Sequence, residues 1–209
     1  MKQTLKALLP ATLRCWMKDK WHYLRHLRFM GGRLRLNFPD RILLEDVILA
    51  HLAQDRRYQR ILFIGCDWYT KNYPCLFANR EFWTIEIDPA KARFGGQHHI
   101  IDGLQNLTRH AGADFFDAFI HTGVFGWGID TRELADETFD QCHRCLKPGG
   151  MLVFGWDDVP AQCPFAVTEE CAALKRFETY IFPPLGVHRH LVADSHLRHT
   201  FAFYQKPRS

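Results

Sequence analysis

Residues able to bind a nucleoside stand at the ends of two adjacent apolar segments. The first segment, Arg60 to Ile64, runs into a turn at Gly65, and the second, Phe82 to Ile87, contains Glu86 just before its end. In an open α/β sheet, ligands bind in the crevice outside the carboxyl ends of the strands. This order of segments therefore predicts a site for an adenosine-type ligand at the carboxyl ends of the first two strands.

The turn after the first segment lacks the glycines of a dinucleotide site. Such a fingerprint needs glycine at three fixed offsets, because the backbone must approach a pyrophosphate closely. Here Gly65 is followed by Cys66, Asp67, Trp68 and Tyr69. The missing glycines argue against pyrophosphate binding, and hence against a dehydrogenase, but they leave a nucleoside ligand open.

Histidines are well suited to take a proton from a substrate, because their pKa lies near neutral pH. His121 ends a predicted strand, where it acts either as the base or merely as a hydrogen-bonding residue. His188 and His190 belong to a histidine-rich C-terminal segment and are weaker candidates for the base. That segment also contains His196 and His199, and we expect it to form a solvated loop over the pocket rather than a metal site.

The cysteines give no sign of a metal centre or a disulfide framework. Cys142 and Cys145 have the spacing of a metal-binding pair, but no second pair of ligands follows, and both lie in a predicted helix. We therefore expect no metal. The chain has seven cysteines, an odd number, no convincing signal peptide and no apolar run long enough to span a membrane. These features predict a cytoplasmic protein.

Residues 1–36 form a strongly basic segment. They contain nine Lys or Arg and one acid, a net charge of +8, whereas the whole chain carries +4. Apolar residues recur at helical spacing, so the segment predicts a basic amphipathic helical arm that Gly31 and Gly32 interrupt. Three alternatives stay open for the arm: docking on the body, lying peripherally on the inner surface of an anionic membrane, or contacting nucleic acid. Nothing resembles a dedicated nucleic-acid module.

The remaining residues, 37–209, predict one α/β domain. Asp40 is the predicted N-cap of a first helix, Pro89 opens another, and a further helix covers Thr131 to Leu146. The predicted strands are Arg60 to Ile64, Phe82 to Ile87, His99 to Asp102, Phe116 to His121, Met151 to Trp156, Arg176 to Phe182 and Thr200 to Gln205. Strands alternating with helices indicate a doubly wound sheet of seven mostly parallel strands, with helices on both faces. The last two strands indicate an antiparallel C-terminal pair.

Five of these segments, in this order, resemble the class I S-adenosylmethionine-dependent methyltransferases, whose Rossmann-like sheet has seven strands. They are ILFIG, TIEIDP, IID, FDAFI and LKPGGMLVFGW, and the resemblance covers roughly residues 40 to 206. An antiparallel last strand also suits that family. The resemblance implies S-adenosyl-L-methionine as the cofactor, although Asp67 and Tyr69 stand where the family has its second and third glycines.

The resemblance also implies roles for individual residues. Glu86 matches the acid that binds both ribose hydroxyls, a task that suits a carboxylate because it accepts two hydrogen bonds at once. Asp102 matches the acid that receives the adenine amino group, and His121 begins the loop beside the transferable methyl. We expect Asp67 to bind the ammonium group of the methionine end. The full set of expected cofactor residues is Gly65, Cys66, Asp67, Glu86, Asp88, Asp102 and His121.

Together these features predict methyl transfer to an oxygen or nitrogen atom of a small-molecule, glycan or lipid-linked acceptor. Two alternatives stay open. In a non-catalytic relative, Asp67 and Tyr69 would block the cofactor loop and the body would serve as an interaction module. In a membrane-surface protein, residues 1–36 would drive attachment, which is compatible with catalysis on a lipid-linked acceptor.

Overall fold

A computed structural model describes residues 26–30 and 33–208 of the chain. Within this part, a small hairpin precedes a central sheet of eight strands. The hairpin consists of β1 (Leu27–Met30) and β2 (Arg33–Leu36). The strands of the central sheet are β3 (Arg60–Ile64), β4 (Glu81–Glu86), β5 (His98–Ile101), β6 (Phe116–Thr122), β7 (Leu146–Asp157), β8 (Glu178–Thr179), β9 (Arg189–Leu191) and β10 (His199–Gln205).

The central sheet runs in the order β5-β4-β3-β6-β7-β10-β8, with β9 also paired to β10. Neighbours from β5 to β7 are parallel, whereas β10 is antiparallel to β7, β8 and β9. The chain order reverses between β3 and β6, so the topological switch point lies between these two strands. We call the edge formed by the carboxyl ends of β3 to β7, together with the start of β10, the carboxyl edge.

A helix covers each face of the sheet. Residues 39–54 form α1, a continuous helix with α-helical ends (Pro39–Ile42 and Ala50–Gln54) and a π-helical middle (Leu43–Leu49). The helix α2 (Arg132–Cys145) covers the opposite face, and α3 (Val167–Glu170) is a single short turn. Each main helix buries an apolar stripe against inward-facing strand residues. The result is two separate hydrophobic cores, one on each side of the sheet.

The predicted sheet is confirmed, with its mostly parallel strands, antiparallel C-terminal strand and helices on both faces. Several local predictions are wrong. Asp40 lies inside the first turn of α1 rather than at its N-cap, which is Phe38. Pro89 opens only the 3-10 segment Pro89–Phe94, not a full helix. The predicted strand Arg176 to Phe182 is reduced to β8, and β9 adds an eighth strand.

The described part of the basic segment also differs from the prediction. Residues 27–30 and 33–36 pair as two antiparallel strands, β1 and β2, instead of forming a helix. In β2, basic and apolar residues alternate (RLRL), a period that suits a strand better than a helix. The helix predicted for residues 1–25 lies outside the described residues.

Candidate functional site

The turn after β3 brings a backbone amide onto the carboxylate of Glu86. Gly65 has φ +82°, and a Cβ there would lie 2.8 Å from Val124 Cγ1, so only glycine fits this close approach. The amide of Cys66 donates to Glu86 Oε2 (2.9 Å), and the amide of Asp88 donates to Oε1 (3.0 Å). Each carboxylate oxygen keeps a second acceptor position. Glu86 is therefore fixed at the carboxyl edge with capacity to bind a ligand.

Side chains, rather than glycines, shape the rest of this turn. The amide of Asp67 donates to the Thr70 hydroxyl (3.0 Å), and the Asp67 carboxylate accepts from the amide of Trp68 (2.7 Å). Lys91 Nζ lies 3.3 Å from Asp67 Oδ2. Burial opposes the charge of Lys91, but Asp67 and Glu86 outweigh it and raise the pKa of the ammonium group. The loop thus presents opposite charges beside Glu86.

Asp102, another predicted cofactor residue, has structural partners of its own. Asp102 accepts from the amide of Gly103 (2.7 Å), from Asn106 Nδ2 (2.9 Å) and from His110 Nε2 (2.8 Å). The hydrogen bond with His110 is the main reason that the pKa of Asp102 falls to about 2. Its contact with adenine therefore stays a prediction.

Cys66 and Asp88 flank Glu86 and contribute mainly through their backbones. The Cys66 side chain is buried, and burial raises the pKa of its thiol to about 12, so it is neither a nucleophile nor a charged ligand at neutral pH. Asp88 Oδ1 caps the 3-10 segment by accepting from the amide of Ala90 (2.9 Å). Direct contacts of their side chains with a cofactor stay predictions.

The side chain of His121 is not placed to act as the predicted base, and its predicted contact with a cofactor stays a prediction. Its side chain is completely buried, stacked on Phe139 (ring centres 4.9 Å apart) and edge-on to Phe154 (5.2 Å). Neither ring nitrogen has a hydrogen-bond partner among the described residues. Burial lowers its pKa to about 4, so the imidazole is neutral at physiological pH. It is a core residue facing α2, and the structure corrects its sequence-based assignment as the base.

His188 and His190 lie at the edge of the sheet, in and just before β9. His188 is exposed, whereas His190 is partly buried and pairs in register with Phe201 of β10. The structure thus separates both of them from the Gly65 turn by the width of several strands. Their role as weaker bases stays a prediction.

A chain of buried hydrogen bonds that the sequence did not reveal joins three strands at the carboxyl edge. His199 Nδ1 lies 2.7 Å from Asp157 Oδ1, and His199 Nε2 lies 3.2 Å from the Thr122 hydroxyl. Trp127 Nε1 donates to the other oxygen of Asp157 (2.9 Å). Gly155 makes room for this group, because a Cβ there would lie 2.5 Å from Thr122 Oγ1. His199 is therefore not part of the solvated loop predicted for it.

The charges of this chain of hydrogen bonds follow from its geometry. Burial tends to raise the pKa of Asp157, but the hydrogen bond with His199 and the nearby charges outweigh it, and the pKa is lowered. Asp157 is thus a carboxylate, which requires His199 to donate from Nδ1. In the neutral imidazole, Nε2 is then the acceptor for the Thr122 hydroxyl. The arrangement can draw a proton from a hydroxyl towards an imidazole held by a carboxylate.

Arg41, near the start of α1, lies over the switch point of the sheet. Its guanidinium carbon is 4.7 Å from the centre of the Tyr69 ring, and its Nη2 is 3.6 Å from where a Cβ on Gly123 would be. Only 14% of the side chain is exposed. Burial disfavours the charge, but Tyr69, Tyr73 and Asp40 outweigh it and raise the pKa of Arg41. A permanent positive charge therefore lies between the loops that follow β3 and β6.

One cavity lies away from this edge. About 440 Å³ in volume, it lies at the amino ends of β3 and β4, between Ala53 and Arg80. The Arg80 guanidinium donates to the backbone carbonyls of Ala53 and Tyr58. It therefore joins the segment before β4 to the end of α1 and to the segment before β3. The chemistry-bearing side chains are gathered at the opposite edge.

Solved structures show what kind of fold this is. The N-methyltransferase NodS from Bradyrhizobium japonicum, in complex with S-adenosyl-L-homocysteine, superposes with a TM-score of 0.58 at 17% identity, over 80% of this chain and 92% of that one. A TehB-like methyltransferase from Corynebacterium glutamicum gives 0.56 at 15% identity, over 76% and 86%. The chain has the class I methyltransferase fold. No family model and no curated protein matches its sequence.

The class I methyltransferase fold does not by itself fix the reaction. SpnF, a [4+2]-cyclase, superposes with a TM-score of 0.59 at 12% identity, over 88% of this chain and 87% of that one. Function must therefore be argued from the residues at the carboxyl edge. Within residues 26–30 and 33–208, no cluster of three or more His, Cys, Asp or Glu could hold a metal ion. No helix in the same part of the chain is long and apolar enough to cross a membrane.

Proposed function

We propose that this protein transfers a methyl group from S-adenosylmethionine to an oxygen or nitrogen atom of a small-molecule, glycan or lipid-linked acceptor. One observation carries the proposal: the Glu86 carboxylate is fixed beside the Gly65 turn, and both of its oxygens retain acceptor capacity. Because the Gly65 turn has no phosphate cradle, a nucleoside without a pyrophosphate fits it better than a dinucleotide.

Three carboxylates at the carboxyl edge take part in the proposed binding of the cofactor. When bound, S-adenosylmethionine supplies a methyl group on a positively charged sulfur. Glu86 accepts hydrogen bonds from the two ribose hydroxyls, and Asp102 accepts from the adenine amino group. The Asp67 carboxylate, partly exposed, binds the ammonium of the amino-acid end. Holding both reactants in line accounts for most of the rate.

The hydrogen-bonded chain of Asp157, His199 and Thr122 is the proposed route for the acceptor proton. An acceptor hydroxyl donates to the Thr122 oxygen, and the Thr122 hydroxyl passes its own proton to His199 Nε2 as the acceptor oxygen takes the methyl group. Asp157 stabilises the imidazolium that results. Thr122 and His199 are both buried. The loop after β6, which carries the exposed Trp127, therefore has to move aside to admit the acceptor.

Titration calorimetry with S-adenosylhomocysteine tests the proposal. The wild-type chain should bind it, and Glu86→Ala should weaken binding at least about tenfold, because hydrogen bonds to a charged group are lost. Glu81→Ala is the matched control, since Glu81 begins the same strand at the other edge and pairs with Arg60. Circular dichroism checks that each variant is folded. Absence of binding by the wild type, or unchanged binding by Glu86→Ala, would contradict the proposal.

A non-catalytic role is the second candidate, and the Asp67–Lys91 ion pair is the observation that favours it. In that case the pair, together with Tyr69, closes the loop after β3 against any cofactor. Purified protein distinguishes the two functions. Co-purified S-adenosylhomocysteine, or a rise in melting temperature when it is added, supports the enzyme, whereas a closed loop gives neither.

Peripheral contact with a membrane is a further part of the proposal. In β1, the exposed Arg28 stands next to Phe29, which is 75% exposed, and the wider segment 1–36 is strongly basic. An exposed aromatic ring among basic residues suits an anionic lipid surface. Co-sedimentation of the full chain with vesicles that contain phosphatidylserine should be lost when residues 1–36 are deleted. Equal sedimentation of both proteins would contradict this contact.

A further inference from the structure

The cavity at the amino ends of β3 and β4 has the size of a ligand pocket. Its walls come from the end of α1, from the connection between α1 and β3, and from the segment that precedes β4. Its volume of about 440 Å³ lies within the roughly 300–1,000 Å³ that small-molecule sites occupy. The residues that line it are separate from the carboxyl edge and have no part in the proposed methyl transfer.

The cavity carries an excess of positive charge. Among the described residues that line it, Arg56 and Arg80 are basic and none is acidic. The acids nearby are already paired with other basic side chains. The pairs are Asp55–Arg57, Glu81–Arg60 and Asp117–Lys147, with N–O distances of 2.7, 3.0 and 2.6 Å. Two guanidinium groups on one cavity, without a carboxylate in its lining, favour an anion between them.

Arg80 is fixed at the wall by neutral partners. Its Nε and Nη2 donate to the backbone carbonyl of Ala53 (3.2 and 2.6 Å), and its Nη1 donates to that of Tyr58 (3.2 Å). A guanidinium has five N–H donors, so two remain for a ligand. The contacts orient the guanidinium but do not neutralise its charge.

Arg56 is available in a different way. Its side chain is exposed and makes no hydrogen bond or ion pair with any residue that the structure describes. Its backbone carbonyl accepts from Gln59 Nε2 (2.7 Å), and Gln59 also lines the cavity. The connection between α1 and β3 is therefore held in place, while the Arg56 guanidinium can bind a ligand without breaking a contact.

Apolar side chains complete the lining. Phe77 is buried and stacks on Phe82 (ring centres 4.7 Å apart), in the core on the α1 side of the sheet. Leu76 packs against the same core and lines the cavity beside Phe77. An apolar wall with a few polar groups that fix orientation is typical of small-molecule sites. Here the combination matches a ligand with an anionic head and an apolar body.

We propose that this cavity binds a small organic anion, whose oxyanion head contacts Arg56 and Arg80 and whose apolar body packs on Leu76 and Phe77. A carboxylate and a phosphate both match the planar guanidinium fork, so the head is one of these two groups. The cavity and the Gly65 turn lie at opposite edges of the sheet. The anion site is therefore independent of the proposed methyl transfer and can be filled whether or not a cofactor is bound.

Titration calorimetry of the full chain with matched probes tests the proposal. Phenyl phosphate and benzoate carry the two possible heads on the same ring, and the wild type should bind at least one of them. The tighter of the two identifies the head. Inorganic phosphate and acetate carry the same heads without a ring. They should bind at least about tenfold more weakly than their aromatic counterparts, because burial of the ring adds to affinity.

Arg56→Gln is the decisive variant. It should weaken the tighter aromatic anion roughly five- to tenfold, because a hydrogen bond between charged groups is lost at a partly solvated position. Since Arg56 has no described side-chain partner, the melting temperature should stay that of the wild type. Arg109→Gln is the matched control. Arg109 is also exposed, but it ends the 3-10 segment Leu104–Arg109, which packs against α2 on the other face of the sheet.

The control separates a local contact from a change in net charge. Arg109→Gln removes the same charge and should bind the aromatic anion as the wild type does. Affinities that are equal in Arg56→Gln and Arg109→Gln would overturn the proposal, because the anion would then bind elsewhere, for example to the basic residues 1–36. Wild-type protein that binds neither phenyl phosphate nor benzoate would also overturn it. Binding of S-adenosylhomocysteine has no bearing on either result, so this proposal and the proposed function fail separately.

Discussion

At the scale of single residues, burial decides what each histidine can do. His121 lies near the end of β6 at the carboxyl edge, yet its ring lies in the core under α2, and neither nitrogen has a partner among the described residues. His199 begins β10, is nearly as buried, and has a partner on each nitrogen. An unpaired buried imidazole costs stability, whereas a fully paired one can hold a proton in a defined place.

The unpaired ring of His121 should make stability depend on pH. Its folded-state pKa, about 4, lies below the ordinary value of 6.5, so the unfolded chain binds more protons between these values. Its contribution is therefore complete above pH 6.5 and is lost as the pH falls towards 4. The shift corresponds to about 3 kcal/mol of unfolding free energy. Urea unfolding at several pH values should show a flatter pH dependence for His121→Phe.

The exposed His188 provides the control for that experiment. His188→Phe removes an imidazole without changing the core, so its pH dependence between 6.5 and 4 should match that of the wild type. If His121→Phe kept the wild-type slope, the buried ring would not be the group that titrates.

Asp157 should fix the tautomer of His199. In Asp157→Asn the carboxylate that accepts from Nδ1 is lost, so the variant should be about 1–3 kcal/mol less stable. Nitrogen NMR of labelled histidine should show Nδ1–H in the wild type and a changed proton distribution in the variant. Asp158→Asn is the control, because the neighbouring carboxylate is more exposed and pairs only loosely with Arg189 (3.5 Å). A His199 spectrum identical in wild type and Asp157→Asn would contradict the assigned hydrogen bond.

At the scale of elements, the sequence pattern predicted the features that depend on residues close together in the chain. The bounds of β3 are as predicted, and Gly65 and Glu86 follow from apolar segments that each end in a turn. The pairing of Asp157 with His199 could not be predicted in this way. One predicted strand ends at Trp156, one residue before Asp157. The other begins at Thr200, one residue after His199. The antiparallel register that places these residues opposite each other joins positions far apart in the chain.

Arg41 illustrates a second limit of prediction from the sequence. It was expected to lie within a helix that Asp40 would cap, and the pattern of that helix says only which side faces the core. Its contact with Tyr69 depends on how α1 crosses the sheet, which is a property of packing rather than of helical spacing. Side chains that reach a site from a neighbouring layer give no local signal.

The helix α2 begins with a side-chain cap. The Thr131 hydroxyl accepts from the amide of Leu134 (3.2 Å) at the first turn. Thr131→Ala should lower the free energy of unfolding by about 1 kcal/mol, the usual cost of losing such a cap. Thr131→Ser keeps the hydroxyl and should retain most of the stability in urea unfolding. Equal losses in both variants would point to the lost methyl group instead of the cap.

At the scale of the whole molecule, several carboxylates stabilise the fold through ion pairs and hydrogen bonds, and acid should weaken these contacts. The pKa values of four of them lie below the ordinary value of 3.8. Asp55 is lowered by Arg57, Asp102 by His110 and Asp136 by the amide of Ala173, whereas Asp157 is lowered despite its burial. Depressed pKa values mean that the unfolded chain binds more protons at acidic pH. This stabilisation is present above pH 3.8 and is lost as the pH falls.

Asp102 gives this acid sensitivity a measurable test, because its pKa of about 2 is the clearest of the four. Asp102→Asn should be less stable than the wild type at neutral pH, and the difference should shrink as the pH falls from about 4 to about 2. The exposed Asp194 provides the control, since Asp194→Asn should leave the curve of unfolding free energy against pH unchanged. A constant difference between Asp102→Asn and the wild type at every pH would mean that the side chain stabilises the turn by shape alone. Convergence of the two curves at low pH would show that its charge joins β5 to the segment that carries His110.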